Sequence, residues 1–136
     1  MTQVTVNYWA VIVAAVAQMI VGFIWYAPAL FGDIWMKLSG LSQADMKDAN
    51  MPRIFGLSFV GSLVMAYVLA HFAYYAGAKD VNTGLQLGFW VWLGFVVTVM
   101  LSDVLYNRKP FKLYVLNISY HLVSLLVMGA ILASWR

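Results

Sequence analysis

Charged positions punctuate this chain at wide intervals. Asp, Glu, Lys and Arg are absent from residues 1–32, 54–78, 81–102 and 113–135. Each run reaches the ~20 residues that a helix needs to cross a bilayer core of ~30 Å. The pattern therefore predicts an all-α protein, a four-transmembrane-helix bundle with helices over about 7–26, 53–76, 84–106 and 111–135. Between the first two, Leu30, Phe31, Ile34, Trp35 and Leu38 recur at helical spacing with Asp33 and Lys37 opposite them. That segment, about 30–38, reads as a short amphipathic helix lying in the interface plane.

Punctuation residues support these limits. Pro28 stops the first span, because it lacks an N–H and biases its predecessor away from helical angles. Gly40 ends the interfacial helix, Ser42 with Asp45 forms a capping-box pattern, and Pro52 sits where a first-turn proline opens the second span. Tyr8 and Trp9, Trp25 and Tyr26, and Tyr74 and Tyr75 mark the interfaces as aromatic belts do. Ala27-Pro28-Ala29 has the look of a signal-peptide cleavage site, but residues 1–8 lack a basic n-region, so the first span is expected to be retained.

Composition sharpens the picture. Hydrophobic residues are 64% and charged residues 10% of the chain, against ~45–50% and ~25% in soluble domains. Four spans use nearly all 136 residues, which predicts a single integral membrane domain. Cysteine is absent, which excludes disulfides, thiolate metal sites and a Cys nucleophile. The net charge of +3 is divided among short loops, which fits membrane orientation and not nucleic acid. Lys37, Lys47 and Arg53 lie between spans one and two, and Arg108, Lys109 and Lys112 between spans three and four. Only Lys79 and Arg136 lie on the other side, so the first side is expected to be cytoplasmic and both termini outside.

Polar side chains at depth are where chemistry would show. At ~1.5 Å of rise per residue, Gln18, Ser62, Thr98 and His121 each fall ~12 Å in from the cytoplasmic end. Asn117 is shallower at ~9 Å and Asp103 at ~5 Å. Tyr114, Asn117, His121 and Ser124 are spaced to share one face of the fourth span. These eight are the candidate polar cavity, with His121 the natural proton carrier if it lines a solute path. The plainer reading is that they hydrogen-bond neighbouring helices, at ~0.6 kcal/mol each. Asp103 stands where it can pair with Arg108 and Lys109, and His71 among Tyr67, Tyr74 and Tyr75 reads as a belt residue.

Cofactor and catalytic signals are weak. Haem needs two ring nitrogens ~4 Å apart, whereas His71 and His121 differ by ~12 Å in depth. Two His, no Cys and one intramembrane Asp make a poor metal site, so no cofactor is expected. Phosphate-loop, nucleophile-elbow, HExxH and kinase patterns are absent. Gly56 and Gly61, Ser58 and Ser62, and Gly84 and Gly88 are small residues on spans, the last two pairs with the small-xxx-small spacing of close helix packing. Trp90 and Trp92 must point in different directions, so at least one faces lipid or a partner.

The stretch Trp25-Tyr26-Ala27-Pro28-Ala29-Leu30-Phe31-Gly32-Asp33-Ile34-Trp35 resembles the WY-x-P-x-LFG-x-x-W signature of a family of small bacterial membrane proteins. That family is catalogued as domain of unknown function 1761. Asn117, Tyr120-His121-Leu122-Val123-Ser124, Met128-Gly129-Ala130 and Trp135 extend the resemblance over nearly the whole chain. It implies a four-helix protein of the bacterial cytoplasmic (inner) membrane, and no particular activity. The signature residues Trp25, Tyr26, Pro28, Phe31, Gly32 and Trp35 are then expected at the interface, with Trp25 and Trp35 stapling the amphipathic helix over the end of the first span and Gly32 allowing the turn between them.

The functional expectation is a non-enzymatic accessory or self-associating membrane unit whose partners are lipids and either itself or a larger complex. The alternative is a small transporter or channel with Gln18, Asn117 and His121 lining a cavity. A third, an enzyme of lipid or quinone substrates, would need His121 or Asp103 as general base.

Overall fold

The computed structural model describes residues 3–136, the side chains of Gln43 and Met46 excepted. Every regular element is helical: α1 (Tyr8–Trp25), α2 (Gly32–Ser39), α3 (Gln43–Asp48), α4 (Met51–Tyr75), α5 (Val81–Val91), a π-helical segment (Trp92–Val97), α6 (Thr98–Leu105) and α7 (Phe111–Ser134). Four helices are long and apolar enough to cross a membrane: α1, α4, the continuous run Val81–Leu105, and α7. Only 11–28% of the most apolar window in each is buried in the protein, so most of this apolar surface faces outward.

The ends are set by local chemistry. Asn7 caps α1 by accepting from the Ala10 amide, and Asn50 caps α4 by accepting from Arg53, with Pro52 in the first turn. Gly40 ends α2 in the left-handed conformation (φ 73°), which costs a glycine nothing. Asp45 Oδ2 accepts from the Ser42 amide at 2.9 Å, and Ser42 Oγ accepts from the Asp45 amide at 3.2 Å, so the capping box before α3 is made. A second box opens α5 three residues before the position expected. Asp80 Oδ1 accepts from Thr83 N at 2.8 Å, and Thr83 Oγ1 accepts from Asp80 N at 3.2 Å.

The Asp80 box carries a pH prediction. Bonds from the Thr83 amide, and then from its hydroxyl, hold the Asp80 carboxyl below its ordinary value of 3.8. A group depressed in the folded state stabilises it above the ordinary value and loses that contribution as pH falls through the folded value. The hydrogen-exchange protection factor of the Thr83 amide should therefore hold steady above pH 3.8 and fall only below it. Asp80→Asn, which cannot titrate, should abolish the pH dependence; a wild-type profile that already declines at pH 6 would refute the capping account.

α7 lies at the centre, packed against α1 on one side and α5 on the other, and α1 in turn packs against α4. The bundle is close-packed at the end that holds both termini. There Ala10, Val11, Ala14 and Ala15 of α1 meet Ala66 and Leu69 of α4 and Leu125, Met128 and Leu132 of α7. Across α5 and α7 the backbones themselves touch. A Cβ built on Gly84 would lie 2.8 Å from Ala133 Cβ, and one on Gly88 would lie 2.8 Å from the Leu125 carbonyl carbon. The Gly84/Gly88 spacing is thus filled inside the chain. Gly56, Gly61 and Gly94 have nothing within 4 Å of an added Cβ. The C-terminus is stitched to the same end: Arg136 Nη2 donates to the Ala73 and Ala78 carbonyls, and its guanidinium sits 5.4 Å from the Tyr74 ring centroid.

The π-helical turn in the third span, Trp92–Val97, has no counterpart in the hydrophobic pattern and is tied to its neighbour. Trp92 Nε1 donates to the Ile118 carbonyl at 2.7 Å and Tyr114 Oη donates to the Val97 carbonyl at 2.7 Å, so both ends of the widened turn are tied to α7. A wider turn frees backbone acceptors and re-aims the residues that follow. Trp90, two residues from Trp92, is 64% exposed and faces away.

Candidate functional site

At the opposite end, the helices separate around a cavity of about 690 Å³. The sequence explains the contrast. At the close-packed end Ala10, Ala14, Ala15 and Ala66 let the helices approach, with Leu69, Leu125, Met128 and Leu132 filling between them, whereas the separated end carries Phe23, Tyr26, Trp35, Phe55 and Tyr120 on its walls. Large rings hold the backbones apart, and small residues let them meet.

The walls begin with the turn between α1 and α2. Phe31 N bonds to the Trp25 carbonyl at 3.2 Å and Gly32 N to the Ala27 carbonyl at 3.0 Å, folding the chain back on itself. Gly32 is required here by proximity, since an added Cβ would lie 2.9 Å from the Ala27 carbonyl atoms. The staple over the end of α1 consists of two ring pairs, Trp25 with Phe31 at 4.7 Å and Tyr26 with Trp35 at 5.6 Å. α2 presents Gly32, Asp33, Trp35 and Met36 to the cavity, while Leu30 and Ile34 are 49% and 51% exposed. The apolar stripe read from the sequence is therefore divided between cavity and surroundings.

α7 supplies the polar wall. Tyr26 Oη donates to Asn117 Oδ1 at 2.7 Å. The Tyr26 and Tyr120 rings meet edge to face at 5.2 Å, and Tyr120 lies 4.9 Å from the His121 ring. Tyr120 can approach α1 because residue 22 is glycine: a Cβ there would be 3.1 Å from its hydroxyl. His121 lines the cavity, and its Nδ1 is buried with no hydrogen-bond partner among the described residues. Leaving a buried polar atom unpaired costs ~1–3 kcal/mol. Asp33 is the one charged residue on the walls, and no Lys or Arg is among the described residues that line it.

The structure separates the eight polar candidates. Asn117 and His121 line the cavity. Gln18, Ser62 and Ser124 are buried at 4%, 6% and 0% exposure, deeper in the bundle and outside the cavity wall. Gln18 Nε2 approaches Met65 Sδ at 3.5 Å, a contact from α1 to α4, and its Oε1 is buried with no partner among the described residues. Tyr114 is committed to the Val97 carbonyl, and Thr98 Oγ1 donates at 2.6 Å to Gly94 O of its own span. The Asp103 carboxylate, placed beside Arg108 and Lys109 in the sequence, takes its hydrogen bond from Asn107 Nδ2 at 2.9 Å and is not on the cavity wall. His71 Nδ1 bonds the Tyr67 carbonyl at 2.9 Å, and its ring meets the Tyr67 ring edge to face at 4.6 Å.

Of the interfacial signature, Tyr26, Pro28, Gly32 and Trp35 line the cavity. Two groups of residues read separately from the sequence thus meet at one place. Tyr120, Gly22, Phe55 and Ser58 join them without having been singled out as site residues. Gly22 had a signal, since Ala10, Ala14, Gln18 and Gly22 follow each other at four-residue intervals along one face of α1. Four methionines, Met19, Met36, Met51 and Met100, complete the wall. Thioether side chains are flexible and polarizable, so such a wall adapts to ligand shape. Among the described residues no cluster of three His, Cys, Asp or Glu could hold a metal ion.

The family model described as "Protein of unknown function (DUF1761)" matches residues 9–133. No curated protein matches the chain, and no solved structure does.

Proposed function

We propose that this chain, which belongs to the DUF1761 family of proteins of unknown function, is a membrane-embedded binder of a small amphiphilic molecule. The observation that carries the reading is a cavity of about 690 Å³ whose walls bring Tyr26, Asn117, Tyr120 and His121 together with several aromatic rings and methionines. Ligand sites are ~300–1,000 Å³, mostly apolar, with a few convergent polar groups. Here Tyr26, Asn117, Tyr120 and His121 supply those groups, and Phe23, Phe55 and the methionines supply the apolar bulk. Four of the six residues of the interfacial signature, Tyr26, Pro28, Gly32 and Trp35, line this cavity.

The distribution of basic residues supports an orientation with the cavity end at the cytoplasm and both termini outside. A transporter would use the cavity as its substrate site, and an accessory subunit would use it for a bound lipid. For self-association, Gly84 and Gly88 are taken up by α7 within the chain, whereas Gly56 and Gly61 of α4 have nothing within 4 Å of an added Cβ and leave that face open to a second copy.

The test is to fill the cavity. Ser58 lies on its wall from α4. Ser58→Trp should close the space while leaving the distant close-packed end intact. Native mass spectrometry of protein released from lipid nanodiscs should show a small molecule retained by the wild type and lost from Ser58→Trp, at an unchanged melting temperature. Equal retention by both proteins, or none by either, would overturn the reading.

A further inference from the structure

The ligand's charge can be argued from what the cavity wall carries. We infer that the cavity selects a lipophilic cation, a bulky amine or onium ion with aromatic or branched apolar groups. The inference rests on the proposed function above and narrows its ligand class.

Asp33 brings a carboxylate to a wall that has no Lys or Arg among its described residues. Lys37, one turn further along α2, is not part of the wall. An anion placed here would meet a like charge and no cationic partner. At the start of α2 the Phe31, Gly32 and Trp35 amides are already bonded to the Trp25, Ala27 and Phe31 carbonyls.

The rest of the wall suits a cation equally well. Trp35, Tyr26, Tyr120, Phe23 and Phe55 present aromatic rings around the same space. Ring faces attract cations, Trp most strongly, and the attraction grows as water is excluded. Tyr26 and Trp35 are held at 5.6 Å in an edge-to-face arrangement, so the pair is already ordered before a ligand arrives. Methionine sulfur adds a soft, polarizable surface that tolerates several shapes. Asp33 itself is exposed, so its attraction is partly screened and should weaken with salt. Selection therefore comes from the carboxylate and the rings together.

The experiment uses three probes of similar shape: tetraphenylphosphonium, tetraphenylborate and neutral triphenylphosphine oxide. Binding to the full chain in nanodiscs is measured by equilibrium dialysis. Only the component abolished by Ser58→Trp is counted, which removes partition into lipid. Tetraphenylphosphonium is expected to bind about tenfold more tightly than tetraphenylborate, and Asp33→Asn to weaken the cation about tenfold without strengthening the neutral probe. Asp33→Glu should restore most of the affinity. Equal affinities for cation and anion, or an Asp33→Asn protein that binds the cation normally, overturn the cation assignment. If the neutral probe alone shows a component sensitive to Ser58→Trp, ligand binding stands and the charge selectivity falls. If no probe shows such a component, both readings fall.

Discussion

Replacing Gly88 with valine is expected to separate the third span from the fourth and to abolish a stable fold in detergent. The reason is that backbone meets backbone at this crossing. An added Cβ would lie 2.8 Å from the Leu125 carbonyl carbon and 3.1 Å from Leu126 N. No side-chain rotamer can relieve a clash with the main chain, so the helices must move apart. In lipid, apolar surface gains nothing by leaving the tails, and close packing is what holds helices together. Overpacking costs ~1–3 kcal/mol when side chains can yield, and a rigid main chain puts Gly88→Val at or above the upper value, ~3 kcal/mol. Thermal melting in detergent and the yield of monodisperse protein would measure it. Gly56→Val and Gly61→Val are the controls, because nothing lies within 4 Å of an added Cβ at either position. These should stay within ~0.5 kcal/mol of wild type. A Gly88→Val protein that melts with the controls would show that α5 and α7 do not cross at contact distance.

The second large effect is expected at Tyr26. Its ring touches Trp35 of α2 and Tyr120 of α7, and its hydroxyl donates to Asn117 Oδ1 at 2.7 Å. One side chain thus joins α1, α2 and α7 at the cavity. Tyr26→Ala removes two ring contacts and a hydrogen bond, with an expected cost of ~3 kcal/mol. Tyr26→Phe keeps the rings and loses only the hydroxyl, for ~1 kcal/mol. The alanine variant should also release α2 from the bundle. Amide exchange across Gly32–Ser39 should rise several-fold, and trypsin should cut faster after Lys37. A double-mutant cycle of Tyr26→Phe with Asn117→Ala should return a coupling of ~1 kcal/mol. Unchanged exchange in α2 with Tyr26→Ala would mean that the helix is held by something other than this ring.

Several limits of the fold could be read locally because each depends on residues within four positions. Gly40 ends α2 as its missing Cβ permits, and Ser42 with Asp45 caps the next turn. α5 starts three residues before the expected Gly84, because the Asp80–Thr83 capping box opens the helix at Val81. The staple over α1 was partly legible. Trp25 and Trp35 both take part, but Phe31 and Tyr26 are the rings they meet, because the turn through Pro28 brings those positions alongside.

The polar candidates show where local reading stops. Depth along a helix follows from the rise per residue, and Gln18, Ser62, Thr98 and His121 were expected at one level for that reason. Depth does not specify rotation. Which way each helix turns depends on how neighbours pack, and that packing sorted His121 and Asn117 to the cavity, Gln18 and Ser62 to the core, and Thr98 to its own helix's carbonyl. The sequence alone determined that four helices long enough to span lipid would form, since an uncharged run of that length satisfies its peptide groups only along its own axis in hydrocarbon. Tertiary structure alone decided which face each helix turns to its neighbours, and so where a space would remain. That outcome depends on contacts between residues as far apart as Gly22 and Tyr120, which no local pattern encodes.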